Sequence, residues 1–217
     1  MSVRRTLAVL ASAGIASAAG LATASGASAH ERHHSPQPAT VETRSLAAAL
    51  AADRPGFDRN WHDYDIVEAA VGAVLTAKPN SPVKVLADGS VALTAFIPTD
   101  QAFRNLASDL TKKRYSNEKA VFAAVAGLGI NTVETVLLYH VVPGTTIDSR
   151  TALRSDSAQL TTAQSGKVTV DVRSGKRIYL VDADPDDRNA RVVQPDINKG
   201  NRQIAHGVSQ VLRPANL

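Results

Sequence analysis

With no cysteine anywhere in the chain, any chemistry must come from six histidines and a scatter of acids. The lack of thiols excludes a cysteine nucleophile, thiolate metal sites, a lipidated Cys and disulfides. His30, His33 and His34 crowd the stretch HERHHSPQPAT, which could hold a transition metal loosely. Nothing elsewhere completes a ligand set, so neither a metal nor a cofactor is expected. His140 is different. It follows Val133, Val136 and Leu137 at helical spacing, which places its imidazole on the buried stripe. A neutral imidazole there needs a partner for each nitrogen, and Thr99 or Asp100, opening another helix, could supply one. The predicted role is a hydrogen-bonded clamp between two segments. A hydrolase using His140 with Asp100 is the competing chemical reading.

Two other strings imitate known chemistry. Asp182, Asp184, Asp186 and Asp187 start like a calcium loop, but the sixth position is Asp187 instead of Gly and the twelfth is Val193 instead of Glu, so a solvated hairpin loop is expected. Ser81-Pro82-Val83-Lys84 has the S-x-x-K order of penicillin-recognising enzymes, yet Pro82 sits in a predicted loop and no K-T-G follows. No G-x-S-x-G, phosphate loop or dinucleotide fingerprint occurs. The chain does not read as an enzyme.

The elements that must position these residues fall into two halves. SLAAALAA makes a short helix from Ser45, and DIVEAAVGAVLTA a second, with Asp65 as cap and Glu68 answering it. Val91 to Ile97 is an apolar, β-branched run that predicts a buried strand closed by Pro98. A helix opens at Thr99-Asp100 with Phe103, Leu106 and Leu110 on one face, another covers Lys119 to Ala126, and a third starts at Asn131 as cap, with Glu134 behind it. The period then changes to two. Val168, Val170 and Val172 face Ile178 and Leu180 across Ser174-Gly175, a hairpin, and RVVQPDI and QIAHGVSQVL add two strands. Helices first and mostly antiparallel strands second predict an α+β domain.

Three segments carry a family resemblance. TAFIPTDQAF (94–103), LLYHVVPG (137–144) and VVQPDINKGNRQIAHGVSQVLRP (192–214) stand in order and resemble the three signatures of the fasciclin family. The resemblance spans roughly Ser45 to Pro214. It implies a wedge-shaped β-sandwich flanked by several helices, and a family associated with adhesion to matrix or wall, without enzymatic activity. Its partner-binding motifs transfer onto Tyr139, His140, Asp196 and Ile197, while the residues themselves make Thr99, Asp100, His140 and His206 candidates for a structural clamp. For Pro195-Asp196-Ile197 the residues themselves suggest a turn before Asn198-Lys199-Gly200, with Ile197 packed inward. The sequence departs from the family at Gly207, where a branched apolar residue is usual, and at Ser209, where Asp is usual. The segment RPGFDRNWHDYD (54–65) is longer and more aromatic than the family start.

The ends bound the compartment. MSVRR, an apolar run of small residues and Ala27-Ser28-Ala29 make a bacterial-type secretory signal with an A-x-A cleavage site. Arg4-Arg5 lacks the surround of a twin-arginine motif, which points to the general secretory route. The expected organisation is a signal at 1–29, a flexible leader at 30–44 and one domain at 45–217, a size suited to one core. Part of the +4 formal charge lies in the signal, and so mild a balance does not suggest nucleic acid. The expectation is a monomeric, secreted, non-enzymatic adhesion module without a membrane span after cleavage, contacting an extracellular protein or wall polymer. An extracellular carrier or sensor of a lipid or pigment is the alternative.

Overall fold

The computed structural model describes residues 42–52 and 56–216. The predicted signal, the leader up to residue 41 and residues 53–55 lie outside the described residues. Contacts to the sheet begin three residues before Ser45, since Glu42 bridges to Asn201 and the Arg44 N–H donates to Asn201 Oδ1 at 2.8 Å.

Helix α1 (Leu46–Leu50) is capped by the Ser45 side chain, and α2 runs Asp65–Ala77. Asp65 is the first helical residue and not the cap; that position falls to Tyr64, whose side chain makes no capping bond. The preceding segment is already pinned, because the N–H groups of Asp100 and Gln101 donate to the carbonyls of Asp63 and Trp61. A 3-10 turn follows at Pro82–Ala87, then β1 (Leu93–Pro98), buried at all six positions. α3 (Asp100–Thr111) is capped by Thr99 and α4 (Glu118–Ala126) by Asn117. α5 (Ile130–Tyr139) starts one residue before the predicted cap Asn131. Gly129, at φ +87°, makes the entry turn, so Glu134 answers no cap and pairs with Lys78 instead.

The second half supplies β2 (Val141–Pro143), the short α6 (Ser149–Ala152), β3 (Gln159–Thr161), β4 (Lys167–Arg173), β5 (Arg177–Val181), β6 (Ala190–Ile197) and β7 (Gln203–Val208). β4 and β5 form the predicted hairpin, with Arg173 opposite Arg177. β2, β3 and α6 carry too few residues for a sequence period to show. The strand order is β2-β1-β7-β6-β5-β4-β3, antiparallel throughout except for the parallel pair β1/β7.

Alternation along β1 explains the two cores. Ala95 and Ile97 face α2 to α5, in a cluster with Ile66, Val74, Phe103, Leu106 and Val136. Phe96 points the other way, into a cluster with Val142, Val168, Val170, Leu180 and Val208. Strands from both ends of the sheet contribute to that second cluster, so the sheet folds over itself, and the register shifts in β6 mark where it bends. The result is an α+β sandwich with helices covering one outer face. Among the described residues no single helix is long and apolar enough to cross a membrane.

Candidate functional site

The three signature segments meet along β1, β7 and the end of α5. His140 is the C-cap of α5 and only 5% exposed. Its Nε2 lies 2.9 Å from the N–H of Leu212, which can only donate, so that nitrogen carries the lone pair. The proton is therefore on Nδ1, which donates to the Val136 carbonyl at 2.7 Å. Burial pushes the imidazole down to about 4, and it stays neutral. His206 takes the opposite tautomer. Its Nδ1 accepts from the Asp196 N–H at 3.2 Å and its Nε2 donates to the Ile147 carbonyl at 2.8 Å, while its ring stacks on Phe96. Burial lowers its pKa as well.

Neither expected partner reaches His140. Thr99 caps α3, its hydroxyl accepting from the Ala102 N–H. Asp100 Oδ1 accepts from the Ile66 N–H at 3.0 Å, which ties α3 to α2 and leaves no His140–Asp100 pair. Backbone groups replace these side chains because the end of α5 meets the backbone N–H of Leu212, while Thr99 and Asp100 are taken up by the N–H groups of Ala102 and Ile66. Burial first, then the facing Asp63, raises the Asp100 carboxyl to about 8.

Tyr139 leaves α5 on the opposite side from His140. It is 1% exposed in the second core, and its hydroxyl donates to the Lys167 carbonyl at 2.7 Å. Asp196 sits at φ +62° near the end of β6. Its carboxylate accepts from the Ser149 N–H and hydroxyl, both at 2.7 Å, and from Lys199, which hold its pKa down against burial. Ile197 is half-buried against the first core. Of the family's partner-binding positions, only Asp196 and Ile197 reach solvent, and only in part.

Both departures from the family pattern acquire a local cause. A Cβ on Gly207 would stand 2.1 Å from the Tyr64 hydroxyl oxygen. Glycine is thus what admits Tyr64, delivered by the aromatic segment before α2, whose hydroxyl donates to Gln194 Oε1 at 2.7 Å. Ser209 exchanges hydrogen bonds with Arg191 and extends the β6/β7 pairing. The acidic run gathers around buried Arg213, whose guanidinium pairs with Asp109, Asp184 and Asp187 at 3.0, 3.2 and 3.3 Å. Asp182 accepts the Arg213 N–H.

Two concave surfaces went unnoticed in the sequence. One is an apolar cavity of about 260 Å³ between α1, α2, α3 and α5, lined by Leu50, Val71, Phe103, Leu128 and Val136, with His140 at its wall. The other is an open polar groove of about 690 Å³ where Arg188, Arg191, Gln101, Asn105 and Gln210 surround Tyr179. Arg173 lies 4.0 Å over that tyrosine ring. The first is assembled from eight elements and the second from α3, three strands and the loops around them, so no local spacing announces either.

Among solved structures, the fold is similar to a FAS1 domain pair from the insect cell adhesion molecule fasciclin I, with a TM-score of 0.50 and 16% identity. That match covers 70% of this chain and 48% of the pair, so the chain spans about half the length of that structure. No curated protein matches. The fasciclin domain model matches residues 70–214, more than half of the chain and all three signature segments, and on that ground the chain belongs to the fasciclin domain family.

Proposed function

We propose that the chain is an extracellular, non-enzymatic adhesion module that holds an acidic wall or matrix polymer in the groove around Tyr179. The groove itself carries this reading. Arg188 and Arg191 are exposed and form no ion pair among the described residues, and side-chain amides alternate with them around an aromatic face. Asp187 is the one acid in the lining and is engaged by Arg213. Guanidinium groups and amides on an open surface suit a chain of carboxylates or phosphates and hydroxyls. In keeping with a binding role, both nitrogens of His140 and of His206 are spent on backbone groups, which leaves neither free to move a proton.

Co-sedimentation of the purified protein with acidic and neutral wall polysaccharides tests this. The expected result is retention on the acidic polymer that weakens with salt and drops at least about tenfold in R188E/R191E. Equal retention of that variant, with loss on substituting Asp196, would move the contact to the Ser149 corner. A carrier of a lipid or pigment is the second reading, favoured by the apolar cavity, and native mass spectrometry of the protein from its own culture would show the bound molecule.

A further inference from the structure

The segment that departs from the family start, together with three helix ends, builds a second polar centre. Asp65, Asp100 and Glu118 are the first residues of α2, α3 and α4, and the three N-termini converge. Asp58 and Asp63 join them from the segment before α2. Ligand atoms of Asp63, Asp65 and Asp100 lie within 4.8 Å of one another, and so do those of Asp58, Asp65 and Glu118. Asp65 belongs to both sets and keeps further contacts of its own.

Helix ends alone do not settle this much charge. Each N-terminus contributes about half a positive charge, so three offset roughly 1.5 of the roughly four charges left when Asp63 and Asp100 share a proton. Asp100 and Glu118 are fully buried, at 0% exposure, and each has one oxygen with no donor, Asp100 Oδ2 and Glu118 Oε1. Their other oxygens are used, by the N–H groups of Ile66 and Asp58. Among the described residues, no Lys, Arg or His forms an ion pair with Asp58, Asp63, Asp100 or Glu118. A single proton shared by Asp63 and Asp100 would satisfy that pair and leave Glu118 Oε1 as it stands. A divalent cation in the first set would answer Asp100, and one in the second would answer Glu118.

We propose that Asp63, Asp65 and Asp100, and Asp58, Asp65 and Glu118, form two overlapping binding sites, sharing Asp65, for a divalent, oxygen-seeking cation, calcium before magnesium. The donors are all carboxylate oxygens, with no His or Cys to favour zinc or copper. Oxygens up to 4.8 Å apart fit on opposite sides of an ion with bonds of about 2.4 Å, the calcium length. Magnesium would demand a tighter octahedron and keep more of its water. Asp58 is exposed and Asp63 half-buried, which gives the ion a way in.

The test uses the whole chain, stripped with EDTA, and follows thermal unfolding and terbium luminescence sensitised through Trp61, the single tryptophan. Its carbonyl bonds to the Gln101 N–H, next to Asp100. Calcium in about hundredfold excess over its dissociation constant should raise Tm by roughly 5–10 °C. Magnesium should do less, and terbium emission should appear and be chased by calcium. Both signals should vanish in D63N/E118Q and persist in D186N, whose carboxylate accepts from Asn216 Nδ2 and belongs to neither acidic set. Stripped D63N/E118Q should also melt above stripped wild type, because amides relieve the repulsion. No calcium shift and no emission in the wild type overturns the proposal, whatever the variants do. Signals that survive in D63N/E118Q overturn it too, since the ion then sits elsewhere.

Discussion

Two buried polar regions of this domain are built on opposite terms. Around His140 and His206, every ring nitrogen has a backbone partner, and Asp196 is closed by Ser149 and Lys199. Where α3 and α4 begin, one buried oxygen each of Asp100 and Glu118 has no donor. A closed network rigidifies the fold and asks for nothing further, whereas an open one of the same depth costs stability until something from outside completes it. The signatures contribute to both parts, since Asp100 of the first one faces the acids that the segment unlike the family brings in.

The sharpest way to break the contrast is His140→Ala. It removes two hydrogen bonds and opens a cavity beside Leu212, and should lower stability by about 3–4 kcal/mol in denaturant titration. An unchanged midpoint would end the clamp role. The same residue sets a pH signature. Unfolded, it takes its proton near the ordinary 6.5, and folded only at about 4. Its stabilisation is therefore full above pH 6.5 and shrinks as pH falls toward 4, by on the order of 3 kcal/mol. Asp100, raised by burial, pulls in the opposite direction over that range, so the effect is read as the gap between wild type and His140→Gln, which should narrow on acidification.

Gly207→Val comes next, at about 1–3 kcal/mol, from overpacking against Tyr64. Tyr64→Leu should restore part of the loss, and additive effects in the double-mutant cycle would remove the link between segment 56–65 and β7. Asp100→Asn should be smaller and of the other sign. An amide donates to Asp63 at every pH, whereas the Asp100 carboxyl does so only below about 8. Thermal unfolding of metal-free protein should therefore show a gain of about 1.5 kcal/mol at pH 9 and little change at pH 6. Asp196→Asn closes the series at about 1 kcal/mol of loss, measured by thermal unfolding, because Lys199 and Ser149 keep partial contacts.

The period-based elements were legible because long runs such as DIVEAAVGAVLTA and the β4/β5 hairpin commit to one face. The burial of His140 was legible for the same reason, from Val133, Val136 and Leu137. Its partners were not, because Val136 and Leu212 contribute backbone atoms that no side-chain pattern encodes. Short elements such as β2 and α6 are held by tertiary hydrogen bonds, Ser149 by Asp196 for one, and carry no period. The acidic centre was invisible for a further reason. Its five members are scattered over Asp58 to Glu118, and only the convergence of three helix starts gathers them into two triads that share Asp65.

The parallel pair β1/β7 has a consequence for how the domain comes into being. Leu93 finds its partner Gln203 more than a hundred residues downstream, so the middle of the sheet cannot form until almost the whole chain exists. Closing so long a loop is entropically costly and slow, and it comes before the contacts that reward it. A chain stopped anywhere short of Gln203 carries β1 as a bare apolar edge, with Leu93 to Pro98 seeking any strand that will pair. Folding of this domain should therefore be late and all at once, and its truncated forms should aggregate instead of persisting as half-domains.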